Sequence, residues 1–240
     1  MSFSELAKIL GALERRGNIP QRFIIKNVPY YSQWESPALV RKIIRDEVSS
    51  QEDPLWKRSG AKSPQEYELW SSNMCGMACL KMIIRHKLDK VIPIITLGRR
   101  CMEFGGYKEK PNTIDGLYYP PFIRFINHEF GLKGRIAGIL TLNRIMKELS
   151  QGNYIIASVS YKIRNPNSIP ASVGGHLVLM LGYDLEKKIL LFHNPSGDTR
   201  ENQEYAEISF PQFGRFLAGR GIVIENSINI GKDNGFFRKK

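Results

Sequence analysis

The spacing of apolar residues changes about half-way along the chain, and this change constrains the fold more than any other feature. In the first half, Cys75, Cys79, Met82 and Ile83 recur at intervals of three and four residues. This spacing places apolar side chains on one face of a helix, so it predicts a helix from about residue 73 to residue 87. Similar patterns predict further helices over residues 1–16, 38–48, 96–104, 121–130 and 142–149.

The second half is dominated by short apolar runs that are typical of strands. These runs predict strands over residues 135–139, 154–159, 176–183, 189–193 and 222–225, in addition to an early strand over residues 23–28. Residues 165–175 contain two prolines and show no periodicity, so they predict a loop that leads to His176. Helices followed by an antiparallel sheet describe an α+β fold.

The composition is that of a folded globular chain. Of the 240 residues, 42% are hydrophobic and 24% are charged, which excludes a disordered chain and a coiled-coil rod. No apolar run approaches the ~18 residues that cross a bilayer, and charged residues interrupt the N-terminus where a signal peptide would be apolar. Three cysteines are too few for a disulfide scaffold. We therefore expect a reduced, cytoplasmic protein without a membrane span.

The net charge of +12 raises the question of an anionic partner. Lysines and arginines occur as scattered pairs, and the aromatic residues are not interleaved with them as a base-stacking surface requires. The sequence also contains no zinc finger or other recognised nucleic-acid motif. We expect no specific nucleic-acid binding. Two interpretations of the charge remain, a solvated surface and a preference for an acidic partner.

Cys75 is the first candidate for chemistry, because it lies near the start of a predicted helix. Ser71, Ser72 and Asn73 are all favoured N-cap residues, so the helix is expected to begin within one or two residues of the thiol. The positive end of a helix stabilises a thiolate and lowers the pKa of the thiol, and Gly76 would leave room for a substrate beside it. The alternative is that Cys75 is a small buried apolar residue, as most free cysteines are.

The remaining cysteines and two of the histidines fit structural positions. Cys79 lies one turn after Cys75 on the buried face, and Cys101 lies within a predicted helix, so we assign both to the core. His86 and His128 lie near helix C-termini, where a cation is favourable, and are expected at the surface. Because no His or Cys pair supplies further ligands to Cys75 and Cys79, we expect no metal and no cofactor.

His176 and Asn194 are predicted to be neighbours on two strands of one hairpin. Residues 184–187 suit a turn, and a turn centred between residues 185 and 186 places His176 opposite Asn194 or Pro195. A side-chain hydrogen bond is then within reach. An amide that orients a histidine in this way completes a device for activating a thiol. A bulge of one residue would bring His193 opposite instead, so His193 is the alternative.

Four segments in this order resemble a known family: Val28-Pro29-Tyr30-Tyr31-Ser32-Gln33-Trp34, Cys75-Gly76-Met77-Ala78-Cys79, Gly175 through Asp184, and Asn194-Pro195. They resemble the papain-like cysteine peptidases that process bacteriocins with double-glycine leaders, the thirty-ninth cysteine-peptidase family. The resemblance is closer to their stand-alone, peptidase-like relatives, which lack the fused transporter.

The resemblance implies a papain-like fold and a set of residue roles. Cys75 matches the nucleophile, His176 the general base and acid, and Asn194 the residue that orients the imidazole. Gln33 matches the glutamine whose amide forms the oxyanion hole with the backbone N–H of Cys75. The fold would be one domain over residues 1–240. A helical lobe would cover about residues 1–132, with an access-controlling flap at about residues 35–70, and pack on a sheet lobe of about residues 133–228; residues 229–240 would form a basic tail.

Three hypotheses about function follow. The first is a cysteine hydrolase that cleaves a peptide or isopeptide bond in a peptide or protein substrate, possibly an acidic one, through an acyl-enzyme on Cys75. The second is an acyltransferase or peptide-tailoring enzyme that uses the same Cys-His-Asn device. The third is a non-catalytic module whose basic surface binds an acidic partner, in which case Cys75 and His176 are structural.

Overall fold

The computed structural model describes Glu5 and residues 18–228. The helix expected over residues 1–16, apart from Glu5, and the basic tail of residues 229–240 lie outside the described residues. The helices are α1 (Val40–Ile44), α2 (Pro64–Ser71), α3 (Cys75–Leu88), α4 (Ile94–Glu103), α5 (Tyr119–Phe130), α6 (Leu142–Ser150) and α7 (Phe210–Phe216). Short 3₁₀ turns add Pro37–Leu39, Ser50–Glu52, Trp56–Ser59, Tyr161–Arg164 and Arg200–Asn202.

Nine strands lie in the described part of the chain. They are β1 (Arg22–Ile24), β2 (Tyr107–Lys110), β3 (Thr113–Gly116), β4 (Leu132–Ala137), β5 (Tyr154–Ser160), β6 (Gly175–Asp184), β7 (Ile189–His193), β8 (Ala206–Ser209) and β9 (Leu217–Ile228). Seven of them form one sheet in the order β4-β9-β5-β6-β7-β8, and β1 pairs with the end of β6. Strands β2 and β3 form a separate hairpin. All pairings are antiparallel, so the predicted α+β class is confirmed.

Helices cover both faces of the large sheet. In β6, Leu177, Leu179 and Leu181 join the core beneath α3, α4 and α5, whereas Val178 and Met180 join a second core with α6 and α7. This alternation is the period of two that a strand imposes on its side chains. It explains why β6 is apolar over almost its whole length, because a strand buried on both faces has no solvent side.

Helix α3 lies in the first core and is buried along most of its length, including Met77, Leu80 and Ile84. Its one buried cation, Lys81, lies 3.5 Å from the Glu35 carboxylate, and the two side chains are only 6% and 11% exposed. The Lys81 ammonium also lies 4.6 Å from the centre of the Tyr31 ring. The pair therefore connects α3, the helix of Cys75, to the segment that carries Gln33. Among the described residues, no helix combines the length and apolarity that a bilayer crossing requires.

The segment of residues 35–70, expected to carry one helix, is more ordered than its sequence suggested. Asp53 is fully buried and accepts hydrogen bonds from the Ser36 backbone N–H (3.0 Å), the Ser36 hydroxyl (2.6 Å) and the Tyr67 hydroxyl (2.7 Å). Helix α2 was missed, although Ser63 caps it by accepting from the Glu66 N–H and a proline follows at its first position. These buried hydrogen bonds tie the two ends of the segment to Asp53, and Tyr67 packs in the first core.

Candidate active site

Cys75 is the first residue of α3, as the sequence predicted, but the helix is not capped as expected. The N-cap is Met74, which makes no side-chain cap hydrogen bond, while Ser71 is the last residue of α2. The amide N–H groups of a first helical turn have no helical carbonyl to bond. The half-buried thiol of Cys75 therefore lies at a helix end whose donors are not taken by a capping side chain.

Gly76 does not leave open space beside the thiol, contrary to expectation. A Cβ at this position would lie 2.8 Å from Leu117 Cδ2 and 3.0 Å from Leu177 Cδ1. These are closer than van der Waals contacts allow, so any larger side chain here would force the ends of the two leucine side chains to move. Access to the thiol comes from the cavities described below.

His176 lies at the start of β6, directly after two glycines in the left-handed region, Gly174 with φ +98° and Gly175 with φ +85°. Its Nε2 lies 2.8 Å from Asn194 Oδ1, so the predicted contact is present. The register differs by one residue from the prediction: Leu179 pairs with His193, and a bulge lies between Met180 and Gly182. Asn194 is the first residue after β7, which ends at His193, so the contact lies just beyond the paired part of the hairpin.

The surroundings of Asn194 determine which imidazole nitrogen carries the proton. Asn194 Oδ1 also accepts from the Ser196 backbone N–H at 3.2 Å. Because this N–H can only donate, the atom of the Asn194 amide that faces both Ser196 and His176 is the oxygen and not the nitrogen. A carboxamide oxygen can only accept. His176 Nε2 must therefore donate, which leaves the lone pair of the neutral ring on Nδ1, the nitrogen that a general base needs free.

Sequence reasoning missed two residues beside the histidine, Ser196 and Arg164. The Ser196 hydroxyl lies 3.0 Å from His176 Nε2. Arg164 donates to the same hydroxyl at 2.8 Å and to the Ser196 carbonyl at 2.6 Å. The position of Ser196, two residues after Asn194, offered a local signal. Arg164 offered none, because it lies 32 residues away in a 3₁₀ turn.

Gln33 lies beside Cys75, but its amide already has partners. Its Nε2 donates to the Ser71 carbonyl at 3.0 Å and to the Ser72 carbonyl at 3.1 Å, and its backbone N–H donates to the Pro195 carbonyl at 2.9 Å. Both amide hydrogens are thus engaged in this arrangement. The segment carrying Gln33 is fixed to the end of α2 on one side and to the Asn194-Pro195 turn on the other.

The pKa of the Cys75 thiol is raised above its ordinary value, which corrects the expectation of a lowered one. Burial is the main cause, and it outweighs the backbone N–H groups of Leu177 and Gly76 and the Arg164 charge, which all favour the thiolate. Burial, together with the smaller effect of the Arg164 charge, lowers the pKa of His176 to about 3. The resting pair is therefore a neutral thiol and a neutral imidazole.

This electrostatic arrangement predicts how Cys75 reacts with iodoacetamide. Because the thiolate is the reactive form, alkylation of the wild-type protein should keep rising as the pH increases past 9, by about tenfold per pH unit below the pKa. Arg164→Gln removes a charge that favours the thiolate, so its profile should move to still higher pH. Arg124→Gln, at an exposed arginine bonded to the Phe104 carbonyl, is the control and should not shift it. A wild-type plateau below pH 8, read by mass spectrometry, would contradict the assignment.

The other cysteines and histidines have structural positions. Cys79 and Cys101 are fully buried, which confirms both core assignments. His193 is buried, with Nε2 2.9 Å from the Val28 carbonyl and Nδ1 accepting from the Tyr205 N–H at 2.9 Å, so both ring nitrogens bond to backbone. His128 is exposed as predicted. His86 is not a free surface residue, because its ring is half-buried and lies 2.5 Å from the Tyr154 hydroxyl.

Two cavities meet at Cys75 and His176. The first, of about 450 Å³, is lined by Gln33, Trp34 and Arg164 and by Ile43 and Ile44 of α1. The second, of about 430 Å³, lies on the other side and is lined by the β3–α5 connection, Ser158 and Arg220. The thiol and the imidazole therefore lie at the middle of a groove. Among the described residues, no three His, Cys, Asp or Glu side chains group as metal ligands would.

Two solved structures are similar to this chain. A protein described as a C39-like peptidase from Bacillus anthracis superimposes with a TM-score of 0.51 at 13% identity, over 87% of this chain and 99% of that one. The peptidase domain of Streptococcus ComA, a bifunctional ABC transporter involved in a quorum-sensing pathway, covers 65% of this chain and 93% of its own. Its TM-score is 0.44 at 14% identity, which is too low to carry an argument. The first likeness shows the papain-like fold alone.

The sequence itself places the chain in a family. A search of curated proteins found no match. A protein-family model, however, matches residues 25–216, which include the helix of Cys75, the strand of His176 and the turn of Asn194. A match of this extent covers most residues of the groove, and it agrees with the fold and with a cysteine peptidase type of function. The chain belongs to the Peptidase_C39 like family.

Proposed function

We propose that this protein hydrolyses a peptide bond through an acyl-enzyme on Cys75. The observation that carries the proposal is the 2.8 Å contact between His176 Nε2 and Asn194 Oδ1, in a groove that His176 shares with the Cys75 thiol. The contact orients the ring with Nδ1 free to accept a proton. A thiol and an oriented base beside an open groove are the components of nucleophilic catalysis.

The reaction starts from the neutral pair. As Cys75 Sγ attacks the carbonyl carbon, His176 Nδ1 takes the thiol proton, and a C–S bond forms while the carbonyl π electrons move to oxygen. The tetrahedral intermediate collapses, the C–N bond breaks, and His176 gives its proton to the leaving amine. Water then attacks the thioester with His176 as base, which releases the carboxylic acid and restores the thiol. Because the resting thiol is neutral, proton transfer accompanies attack.

The oxyanion would be held at the N-terminus of α3. The Cys75 backbone N–H is the first donor, as the helix end places it beside the thiol. The Gln33 side-chain amide supplies the second donor. When substrate binds, it gives up one of its hydrogen bonds to a backbone carbonyl and donates to the oxyanion instead. The bond to the Ser72 carbonyl, at 3.1 Å and on an exposed residue, is the one that is easier to exchange. Gln33 therefore serves as a donor only after substrate binding.

The segment of residues 35–70 would govern access to one end of the groove. Ile43, Ile44 and Val48 line the Gln33 cavity, while the Asp53 contacts hold the base of the segment in place. A movement confined to α1 and the loop that follows it would widen the cavity without disturbing Gln33. The substrate is a peptide or protein, in keeping with the family.

A cleavage assay tests this function. The full chain is incubated with a defined peptide library with and without an added amine, and products are identified by mass spectrometry. Hydrolysis yields free carboxylic acids that carry one added water. Products joined to the amine would indicate acyl transfer, and loss of all products in Cys75→Ala is required of either reaction. Cleavage that survives in Cys75→Ala would disprove the proposal.

Asn194 offers a test of how the base is oriented. Asn194→Ala removes the acceptor that holds the imidazole, so kcat/KM should fall on the order of 10²-fold, within the range of general acid–base contributions. Asn194→Asp is the matched variant. A carboxylate accepts the same two hydrogen bonds, and the Asn194 Nδ2 that it replaces is buried without a hydrogen-bond partner. It should retain most activity and raise the pKa of His176, which moves the acid limb of the pH profile to higher pH. Equal losses in both variants would argue against an orienting role.

A further inference from the structure

The second cavity of the groove differs from the first in its charge. Its walls are largely apolar or aromatic, with Leu117, Tyr118, Pro120 and Ile136 beside the catalytic pair. Ile136 is 44% exposed and Tyr118 36%, so apolar side chains face solvent here. The one charged residue that lines this cavity is Arg220, and no acidic residue lines it. The first cavity, by contrast, is lined by both Asp46 and Glu68.

The Arg220 guanidinium lies next to the turn that precedes the catalytic histidine. Its Nη2 is 3.0 Å from the point where a Cβ of Gly174 would be, and the Ser158 hydroxyl is 3.8 Å from that same point. The Tyr119 hydroxyl also interacts with Ser158 and Arg220, and both contacts lower a pKa that burial raises. Arg220 is thus held at a fixed place in the groove, beside Gly174, which precedes His176 by two residues.

No partner neutralises this cation within the part of the chain that the structure describes. No carboxylate of these residues lies within 4.0 Å of Arg220, and its neighbours Tyr119 and Ser158 are neutral. Arg164 in the first cavity differs, because its guanidinium already donates twice to Ser196. A guanidinium has five donors in a planar fork that matches a carboxylate. Arg220 is therefore the arginine of the groove that is free to bind one.

We propose that the second cavity is a subsite for an acidic side chain of the peptide substrate, bound by Arg220 and flanked by an apolar residue of the same peptide. The proposal rests on the proposed peptidase function and names its substrate class. The apolar walls suit the neighbouring residue, and the guanidinium pairs with the carboxylate of an aspartate or glutamate. A specific acidic preference then comes from this one residue rather than from the +12 net charge of the whole surface.

Binding of defined peptides to the full chain tests the subsite separately from catalysis. The probe is a library of acetylated octapeptide amides in which each position in turn carries Glu, Gln, Lys or Leu, applied to immobilised Cys75→Ser protein. Retained peptides are quantified by mass spectrometry. Glu should be enriched over Gln at one position by about tenfold, the effect of one charge-assisted hydrogen-bonded pair. In the same background, Arg220→Gln should abolish this preference and Arg220→Glu should favour Lys at that position.

Arg124→Gln is the control, since it removes the same charge from an exposed arginine that lines neither cavity. It should keep the preference for Glu. Equal retention of Glu and Gln peptides, a preference that survives Arg220→Gln, or no retention of any peptide would overturn the subsite. Cleavage of the same library by the wild-type chain is measured in parallel. Cleavage without a charge preference removes the subsite and leaves the peptidase, whereas charge-selective binding without cleavage removes the peptidase function.

Discussion

Cys75→Ala should reduce turnover of a cleavable peptide by at least ~10⁴-fold, because the proposed acyl-enzyme forms on this thiol. The thiol is half-buried at a helix terminus, so its loss should cost less than about 1 kcal/mol in the free energy of unfolding. The measurement pairs single-turnover kinetics with urea unfolding. A large loss of both activity and stability would instead make Cys75 a packing residue.

Cys79→Ala is the matched control, one helical turn away. Its side chain is fully buried in the first core, with Sγ 3.9 Å from the Leu177 carbonyl. Its removal should cost about 1–3 kcal/mol of stability through lost packing, while the folded protein keeps its turnover. The two alanine variants thus separate chemistry from packing. The opposite pattern, with turnover lost only in Cys79→Ala, would reassign the nucleophile.

Lys81→Met should destabilise the protein by about 3–5 kcal/mol at pH 7.5, the effect of leaving one partner of a buried ion pair uncompensated. Glu35 would then keep a charge in a site where its side chain is 11% exposed. Burial already raises the pKa of Glu35, and Lys81 is the main influence that opposes the rise. The pKa should therefore rise further in the variant. The loss in free energy of unfolding of Lys81→Met relative to wild type should be smaller at pH 5. At that pH Glu35 takes up a proton in the folded variant and no longer carries a buried charge.

Two comparisons sharpen this test. The double variant Lys81→Met/Glu35→Gln removes both charges and should recover most of the stability. Arg85→Met breaks the exposed pair with Asp89, whose side chains are 40% and 88% exposed, and should cost less than about 1 kcal/mol. Urea unfolding at both pH values measures all of them. A cost of Lys81→Met no larger than that of Arg85→Met would show that the pair is not important for stability.

The parts of the site that are local in sequence were predictable. Cys75 starts a helix with a clear apolar periodicity, and the spacing of His176 and Asn194 about one turn brought them together. The α+β class followed from the change of periodicity along the chain. The hairpin of β2 and β3, strand β8 and helix α7 were missed, because they are short elements whose apolar residues contact distant parts of the chain.

The parts that depend on distant contacts were not predictable. The raised pKa of Cys75 comes from burial of the thiol in the folded chain, and the tight packing beside Gly76 comes from the distant Leu117 and Leu177. Arg164 reaches Ser196 across 32 residues. Even the register of the β6–β7 hairpin depends on the bulge after Met180, which the turn sequence does not reveal. Local patterns identified the candidate residues, and tertiary packing determined their electrostatics.

The pairing of β6 has a consequence for local opening of the structure. This strand is bonded to β5, β7 and β1, whereas β4 and β8 lie at the sheet edges. Backbone amides in strands with neighbours on both sides exchange with solvent only in large openings. The amides around Leu179 should therefore be among the slowest to exchange deuterium, and those of α1 among the fastest. Fluctuations of α1 that let a long peptide enter the groove would then leave His176, on β6, in a fixed position.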